Sequence, residues 1–588
     1  MTKTVHDPMQ TIISLKEPQF MSLGSELERQ ASEQPEQLAL IFEDQNISFE
    51  ELNRLTNRYA HFFAQQGFKK GDVVALLMEN RPEFLIAATG LSKLGVIVSL
   101  INNGVREEVL AHALSICDAK AMIIGEELLE AYLTIREQVR FQPPATVYLD
   151  SKEPHSPPPP EITWLNPLLN DCPQSNPAST GTINSEDIIV YIYTSGTTGF
   201  PKATAVTQKR WLILGNLFTL FGQMDSNTVQ YMVLPLYHNS GFDIGYSSLV
   251  VSGSTMVLRR KFSTRAFWDE VRKYQVNFFI YVGELCRYIY NQPARPDDAD
   301  NPLLYVVGNG MRGDLMEPFR KRYGIQQLVE IYGATEGVGS FINLEEIPGM
   351  CGNLAMAGMR QGEVIRYDFV NEEILRDENG FAVKCQPEET GLLICEINEL
   401  NRFAGYVNNP EATEEKILRN VLREGDEYFD SGDLVQLHER DFFSFADRLG
   451  DTFRWKSENV STTQVSNVII KYGQMEDANV YGVKVPDMEG RCGMVAIKML
   501  DGEQIDWDSF TEYVNDKLPV FARPYFVRLR NQIDATNSFK QVKQQLQKEG
   551  FDPGLISDPL YFLDPRENKY VVLTPAIYED IVNHKVRF

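Results

Sequence analysis

The 588-residue sequence predicts an α/β protein, with a large layered N-terminal domain of mixed sheets and helices and a smaller α+β C-terminal domain. Three observations carry this. Helical and strand patterns alternate from Ser25 to about Gly125. A series of apolar runs, each closing on glycine or polar residues, occupies Asp187 to Gly337. The rhythm then changes near Phe445–Asp451, leaving enough chain for a second domain.

Residues 1–24 are set apart as an N-terminal extension. In the first domain, taken as 25–447, "ELNRLTNRYAHFFAQQG" has apolar positions at helical spacing and "DVVALLM" reads as a buried strand. "FLIAATGLSKLGVIVSLIN" from Phe84 contains Lys93 and two glycines, so it reads as helix then buried strand rather than a membrane span. Residues 151–185 carry "PHSPPPPEI" and an Asn, Ser and Thr-rich stretch, and are expected to be an exposed linker. "DIIVYIY", "TVQYMVLPLYH", "STMVLRR", "VNFFIYVGEL", "LLYVVGNG" and "QLVEIYGATEG" follow as strands whose ends are natural places for catalytic loops. The second domain is taken as 448–588.

Composition narrows the function classes. With 43% hydrophobic and 23% charged residues the chain can bury a large core, and a net charge of −25 argues against general affinity for nucleic acid or anionic membrane. Seven cysteines stand singly without CxxC pairs, which suggests neither a disulfide framework nor a zinc site and fits a reducing compartment. The first twenty residues lack the pattern of a signal peptide, so a cytoplasmic location is expected.

The stretch "YIYTSGTTGFPKAT", Tyr191 to Thr204, has the makings of a polyphosphate cradle. Gly196 and Gly199 let the backbone approach a ligand. Thr194, Ser195, Thr197 and Thr198 add hydroxyls, and Lys202 adds positive charge. A Walker A loop has its lysine directly after glycine, whereas Lys202 follows Pro201. Alone, a turn of this composition also suits an ordinary surface loop.

The phrase resembles the phosphate-binding signature of the adenylate-forming superfamily, and further signatures recur in order. They are "LPLYHNSG" (234–241), "IYGATEG" (331–337), "YFDSGDL" (428–434), "DRLGDTFRWKSENV" (447–460) and "NSFKQVK" (537–543). "SLINNGVREEVLAHAL", "VGELCRYIYNQP", "GNGMRGD", "VYGVKVPDMEGRCGM" and "LPVFARPYFVRL" are similar to the branch of very-long-chain acyl-CoA synthetases and fatty acid transport proteins. The resemblance runs from about Ser25 to the C-terminus.

What the resemblance implies is a two-step reaction: a fatty acid carboxylate is joined to the α-phosphate of ATP with loss of pyrophosphate, and the acyl-AMP is then attacked by the thiol of coenzyme A. It assigns Thr194–Thr198, Gly199 and Lys202 to the β and γ phosphates, and Glu336 to Mg²⁺. Thr335 goes to the α-phosphate, Tyr332 with Gly333 to the adenine, and Gly308, Asn309 and Gly310 to a backbone wall beside adenine and acyl carboxylate. Asp433 is expected at the ribose hydroxyls with Arg448 nearby, and His238 beside the acyl carboxylate. Lys540 is the expected catalytic cation of adenylation. Gly450 and Asp451 take the hinge of a mobile C-terminal domain, and Lys456, Ser457 and Glu458 the coenzyme A path. The acyl tunnel is expected between about Trp211 and Glu284.

Two residues depart from the branch: Ser457 stands for a glycine on the pantetheine path, and Asn537 for a glycine before the hydroxyl residue. Other readings of the same signatures are a fatty acid uptake or carrier protein, an acyl-AMP ligase with another acceptor, and a ligase of bile acids or other bulky carboxylates. Peripheral contact with the cytoplasmic face of a membrane and a homodimer are both compatible with the sequence.

Overall fold

The computed structural model describes residues 7–139, 146–194, 200–356, 359–368, 373–398, 401–456, 458–486, 488, 490–531 and 543–588. The chain forms two compact units, Met1–Gly352 with Glu396–Leu418, and Asn353–Cys395 with Arg419–Phe588.

The first unit contains two large sheets. It opens on the hairpin β1 (Leu38–Phe42) and β2 (Gln45–Ser48). A seven-stranded sheet follows from β3 (Val73–Leu77), β4 (Ile97–Leu100), β5 (Ala121–Gly125), β6 (Thr146–Asp150), β7 (Ile162–Trp164), β8 (Ile188–Thr194) and β9 (Lys202–Thr207), ordered β7-β6-β5-β3-β4-β8-β9. Only its last pair, β8 with β9, is antiparallel. The strands β10 (Val229–Met232), β11 (Thr255–Leu258), β12 (Phe278–Val282), β13 (Tyr305–Asn309), β14 (Gln327–Gly333) and β15 (Ser340–Asn343) join the first hairpin in an eight-stranded sheet, ordered β15-β14-β13-β12-β10-β11-β1-β2.

The residues explain these elements. β3, β4 and β5 are buried at every position, as parallel strands covered on both faces must be. The helix Phe49–Gln65 starts where Ser48 caps it, its hydroxyl accepting from Glu51 N–H at 3.2 Å, with Glu50 and Glu51 favouring the positive end of the dipole. Its inner face is Phe49, Leu52, Thr56, Tyr59, Ala60 and Phe63. Against it lies Pro82–Ser92, and a Cβ on Gly90 would come within 2.5 Å of Tyr59 Cβ, so glycine sets how closely the helices approach. The segment from Phe84 is thus helix then β4. Lys93 between them is fully buried, donating to Asn53 Oδ1 (2.5 Å) and Asn57 Oδ1 (2.6 Å) and paired with Glu28 (3.1 Å).

Three expectations of organisation need correction. The extension is not separate: Leu15 and Ser22 are buried, Gln19 N–H donates to Ser185 Oγ at 3.0 Å, and the helix Leu23–Glu33 begins before residue 25. Residues 151–185 are not simply exposed, because β7 extends the sheet beside β6 and Ile162, Leu165, Leu169 and Cys172 are buried. The compact units also do not divide at 447/448. The antiparallel strands Glu427–Leu437 and Phe442–Arg448 belong with the C-terminal residues, and buried Asp447 accepts from Thr462 N–H at 2.6 Å, tying strand to following helix.

In the second unit the strands Gly362–Ile365, Thr390–Glu396, Glu427–Leu437 and Phe442–Arg448 form part of one sheet. A five-stranded sheet runs in the order Met475–Val483, Cys492–Met499, Phe526–Leu529, Leu560–Asp564 and Lys569–Val572. Its core includes Trp455, Tyr481, Phe510, Phe526 and Phe562. The fold is α/β with a large N-terminal and a smaller C-terminal domain, as the sequence predicts. Among the described residues no helix is long and apolar enough to cross a membrane.

Candidate active site

The strands β10, β12, β13 and β14 are parallel neighbours, so their carboxyl ends lie along one edge of the sheet. Those ends feed the loops that carry His238, Gly283, Gly308–Gly310 and Tyr332–Glu336, the edge where α/β proteins place ligands.

The glycines of this edge are required by backbone approach. A Cβ on Gly308 would lie 2.1 Å from Tyr281 O, and Gly310 has φ +80°. Asn309, Gly310 and Gly333 are exposed, while Tyr332, Thr335 and Glu336 are half-buried. Tyr332 pairs with Phe341 across β14 and β15, with ring centroids 6.0 Å apart.

Beneath the glycine loop sits Glu330, which is 2% exposed. Its Oε2 accepts from Gly310 N–H at 2.9 Å, and its Oε1 accepts from Met311 N–H at 3.0 Å and from the Tyr281 hydroxyl. Burial pushes its pKa up to about 8 against the pull of those three donors. The carboxyl fixes the loop from below.

The stretch expected to cradle phosphate includes the ends of β8 and β9, which pair antiparallel. Thr194 pairs with Lys202, and Thr194 Oγ1 donates to Lys202 O at 3.3 Å. Ser195, Gly196, Thr197, Thr198 and Gly199 lie outside the described residues. Lys202 Nζ is 5.0 Å from the centre of the Tyr406 ring, a cation–π contact. The Tyr406 hydroxyl donates to Glu336 Oε1 at 2.7 Å. Tyr406 is held by a bridge to Thr204 and by Val407 N–H donating to Ala203 O at 2.8 Å. The structure thus brings Lys202 to the ring and Glu336 to the hydroxyl of one tyrosine.

His238 follows β10 and is half-buried. Its Nδ1 accepts from Ser240 N–H at 3.3 Å, so the neutral ring carries its proton on Nε2. Trp211, in the helix Gln208–Phe221, is fully buried against Phe242 and Tyr246 and donates to Phe242 O at 3.1 Å. This is part of the expected tunnel wall.

In the second unit Asp433 and Arg448 stand opposite each other on antiparallel strands, with Arg448 Nε 3.7 Å from Asp433 Oδ1. Asp451 is paired with Lys543 at 3.1 Å, and Lys543 also donates to Thr462 Oγ1 at 2.7 Å. Gly450, beside it, is exposed. Lys456 occupies a left-handed conformation, φ 53°, between the paired strands Phe453–Trp455 and Glu458–Val460, and donates to the Tyr525 hydroxyl at 3.3 Å. Ser457, Asn537 and Lys540 lie outside the described residues.

Sequence reasoning missed Tyr406, Glu330 and Arg210, which bonds to two of the loops. Glu330 had a signal, since a carboxylate inside an apolar strand demands buried donors. Arg210 had one too, as a cation in the first turn of an apolar helix. Tyr406 had none that the chain alone displays.

The chain belongs to the AMP-binding enzyme family, whose pattern matches residues 27–362, and so to the adenylate-forming acid–thiol ligases. Its relatives narrow the class to the fatty acyl-CoA ligases and fatty acid transport proteins. Long-chain fatty acid transport protein 2 of Rattus norvegicus is 37% identical, over 95% of this chain and 90% of its own. A medium/long-chain-fatty-acid–CoA ligase of Mycobacterium tuberculosis is 35% identical, over 94% of this chain and 89% of its own. The solved structure of an anthranilate CoA ligase in complex with anthranoyl-AMP shares the fold, with a TM-score of 0.74 at 18% identity, over 90% of this chain and 97% of that one.

Proposed function

We propose that the protein activates long- or very-long-chain fatty acids, forming an acyl-AMP from ATP and passing the acyl group to coenzyme A. The observation that carries this is the Lys202–Tyr406–Glu336 arrangement beside the glycine edge of the parallel strands. It joins a phosphate-countering cation to a metal-binding carboxylate.

Charge neutralisation and placement supply most of the catalysis in such a transfer. Lys202 and the 194–199 loop hold the departing pyrophosphate. Thr335 meets the α-phosphate, Tyr332 and Gly333 the adenine, and Asp433 with Arg448 the ribose. Mg²⁺ fits Glu336, because a single carboxylate plus phosphate oxygens is its usual setting, and Tyr406 orients that carboxylate. When bound, the ion offsets phosphate charge. His238 positions the acyl carboxylate and need not act as a base, since that group is already ionised at neutral pH. Lys540 serves adenylation, Gly450 and Asp451 serve as the hinge, and Lys456, Ser457 and Glu458 serve the coenzyme A path. We place the enzyme in the cytoplasm, with peripheral membrane contact where its substrate is delivered.

The test is stepwise. Purified protein should release pyrophosphate only with a fatty acid, and AMP only when coenzyme A follows. A carrier shows neither step, and an acyl-AMP ligase for another acceptor shows the first alone. A chain-length series that includes bile acids then sets the acyl class.

A further inference from the structure

Arg210 is absent from every signature, yet it links two of the loops that carry them. Thr207 caps the helix Gln208–Phe221 by accepting from Arg210 N–H at 3.2 Å, which puts Arg210 in the first turn. A cation there opposes the helix dipole, so the helix itself gains nothing from it. The side chain is 18% exposed, and burial lowers its pKa, so the charge is held at a desolvation cost.

Its contacts show what that cost maintains. Nη1 donates to Thr335 O at 2.7 Å, and Nη2 donates to Asn239 Oδ1 at 3.0 Å. Gly337 has φ +82°, and a Cβ there would come within 2.6 Å of Nη1, so the guanidinium fills the space beside the turn that carries Glu336. Asp243, fully buried, lies 3.6 Å from Nη2 and neither of its oxygens accepts a hydrogen bond. Glu336 is the other acid acting on this arginine.

We infer that Arg210 is a positioning residue for adenylation, fixing the Thr335–Glu336 turn against the His238–Asn239 loop, with Asp243 as its counter-charge so that Glu336 remains available to the metal. The inference rests on the ligase reading. A planar fork is needed because the two acceptors lie on separate loops, and a lysine ammonium does not reproduce it.

The experiment is fatty-acid-dependent ATP–pyrophosphate exchange with the full-length protein. If the unsubstituted enzyme shows no exchange, the ligase reading itself fails. If it does, Arg210→Ala should lower kcat about 10- to 100-fold, the size expected for hydrogen bonds from a charged donor. Arg210→Lys should stay impaired. Guanidinium ion at sub-denaturing concentration should restore part of the exchange to Arg210→Ala and none to Arg210→Lys. Asp243→Asn should raise the Mg²⁺ concentration for half-maximal exchange at least about threefold, as Arg210 turns to Glu336. Wild-type kcat in Arg210→Ala overturns the inference. So does impairment without guanidinium rescue together with an unchanged Mg²⁺ response in Asp243→Asn, which would leave Arg210 a packing residue only. Should Arg210→Ala not fold, the Mg²⁺ response of Asp243→Asn decides.

Discussion

The Tyr406 hydroxyl donates to Glu336 Oε1 at 2.7 Å, across 70 residues of chain, and so fixes the orientation of the proposed metal carboxylate. Tyr406→Phe keeps the ring that Lys202 faces and removes this bond. A hydrogen bond to a charged group is worth about 1.5–3 kcal/mol. The variant should therefore need more Mg²⁺ and lose about tenfold or more in pyrophosphate exchange. An unchanged rate across a Mg²⁺ titration would remove Tyr406 from the site.

Glu330 should make stability depend on pH. Its folded pKa is raised to about 8 by burial, from about 4.3 in an unfolded chain. The native state then keeps a proton that the unfolded chain has released. Its contribution is complete below about pH 4.3 and is lost as pH rises through about 8, by at most about 1.4 kcal/mol per pH unit. Urea midpoints at several pH values between 5 and 9 should fall more steeply for wild type than for Glu330→Gln. Parallel slopes would show that this carboxyl does not titrate in the window. The Gln variant should also loosen the glycine loop, since its amide NH₂ faces Gly310 N–H or Met311 N–H where an acceptor is needed.

Lys540→Ala should abolish acyl-AMP formation while sparing thioester formation from supplied acyl-AMP. Both half-reactions are measurable on one preparation. Equal loss in the two would assign Lys540 to something other than adenylation.

Ser457→Gly should favour the thioester step at the proposed coenzyme A path. Lys456, its neighbour in sequence, has φ 53°, and the resemblance implies a glycine where Ser457 stands. The effect should show as faster coenzyme A-dependent AMP release with unchanged pyrophosphate exchange. A change in the exchange step instead would move the effect off the thioester path.

How much of this was legible depends on how local each signal is. β3, β8 and β10 to β14 could be read because apolar runs closed by glycine or polar residues are local. The extension and residues 151–185 misled because composition alone does not reveal a partner: Leu15 is buried, and Ile162 shares a core with Val73, Leu77 and Met122, far from it in sequence. The domain division misled for the same reason, since the link between Asp447 and Thr462 is a contact rather than a pattern. Within the site, the motifs named residues but not the groups beneath them. Glu330, Arg210 and Tyr406 each act through a bond to a residue some 20 or more positions away.

The cysteines carry one more consequence. Six of the seven are buried and Cys351 is half-buried. Burial pushes the Cys385 thiol up to about 11 and that of Cys395 up to about 12. Exchange with a disulfide requires an accessible thiolate. An enzyme that handles a thiol cofactor meets its oxidised dimer as well, and this chain presents almost no thiolate to attack that disulfide. Mixed-disulfide formation with the proposed thiol co-substrate should fall first on Cys351, the half-buried one.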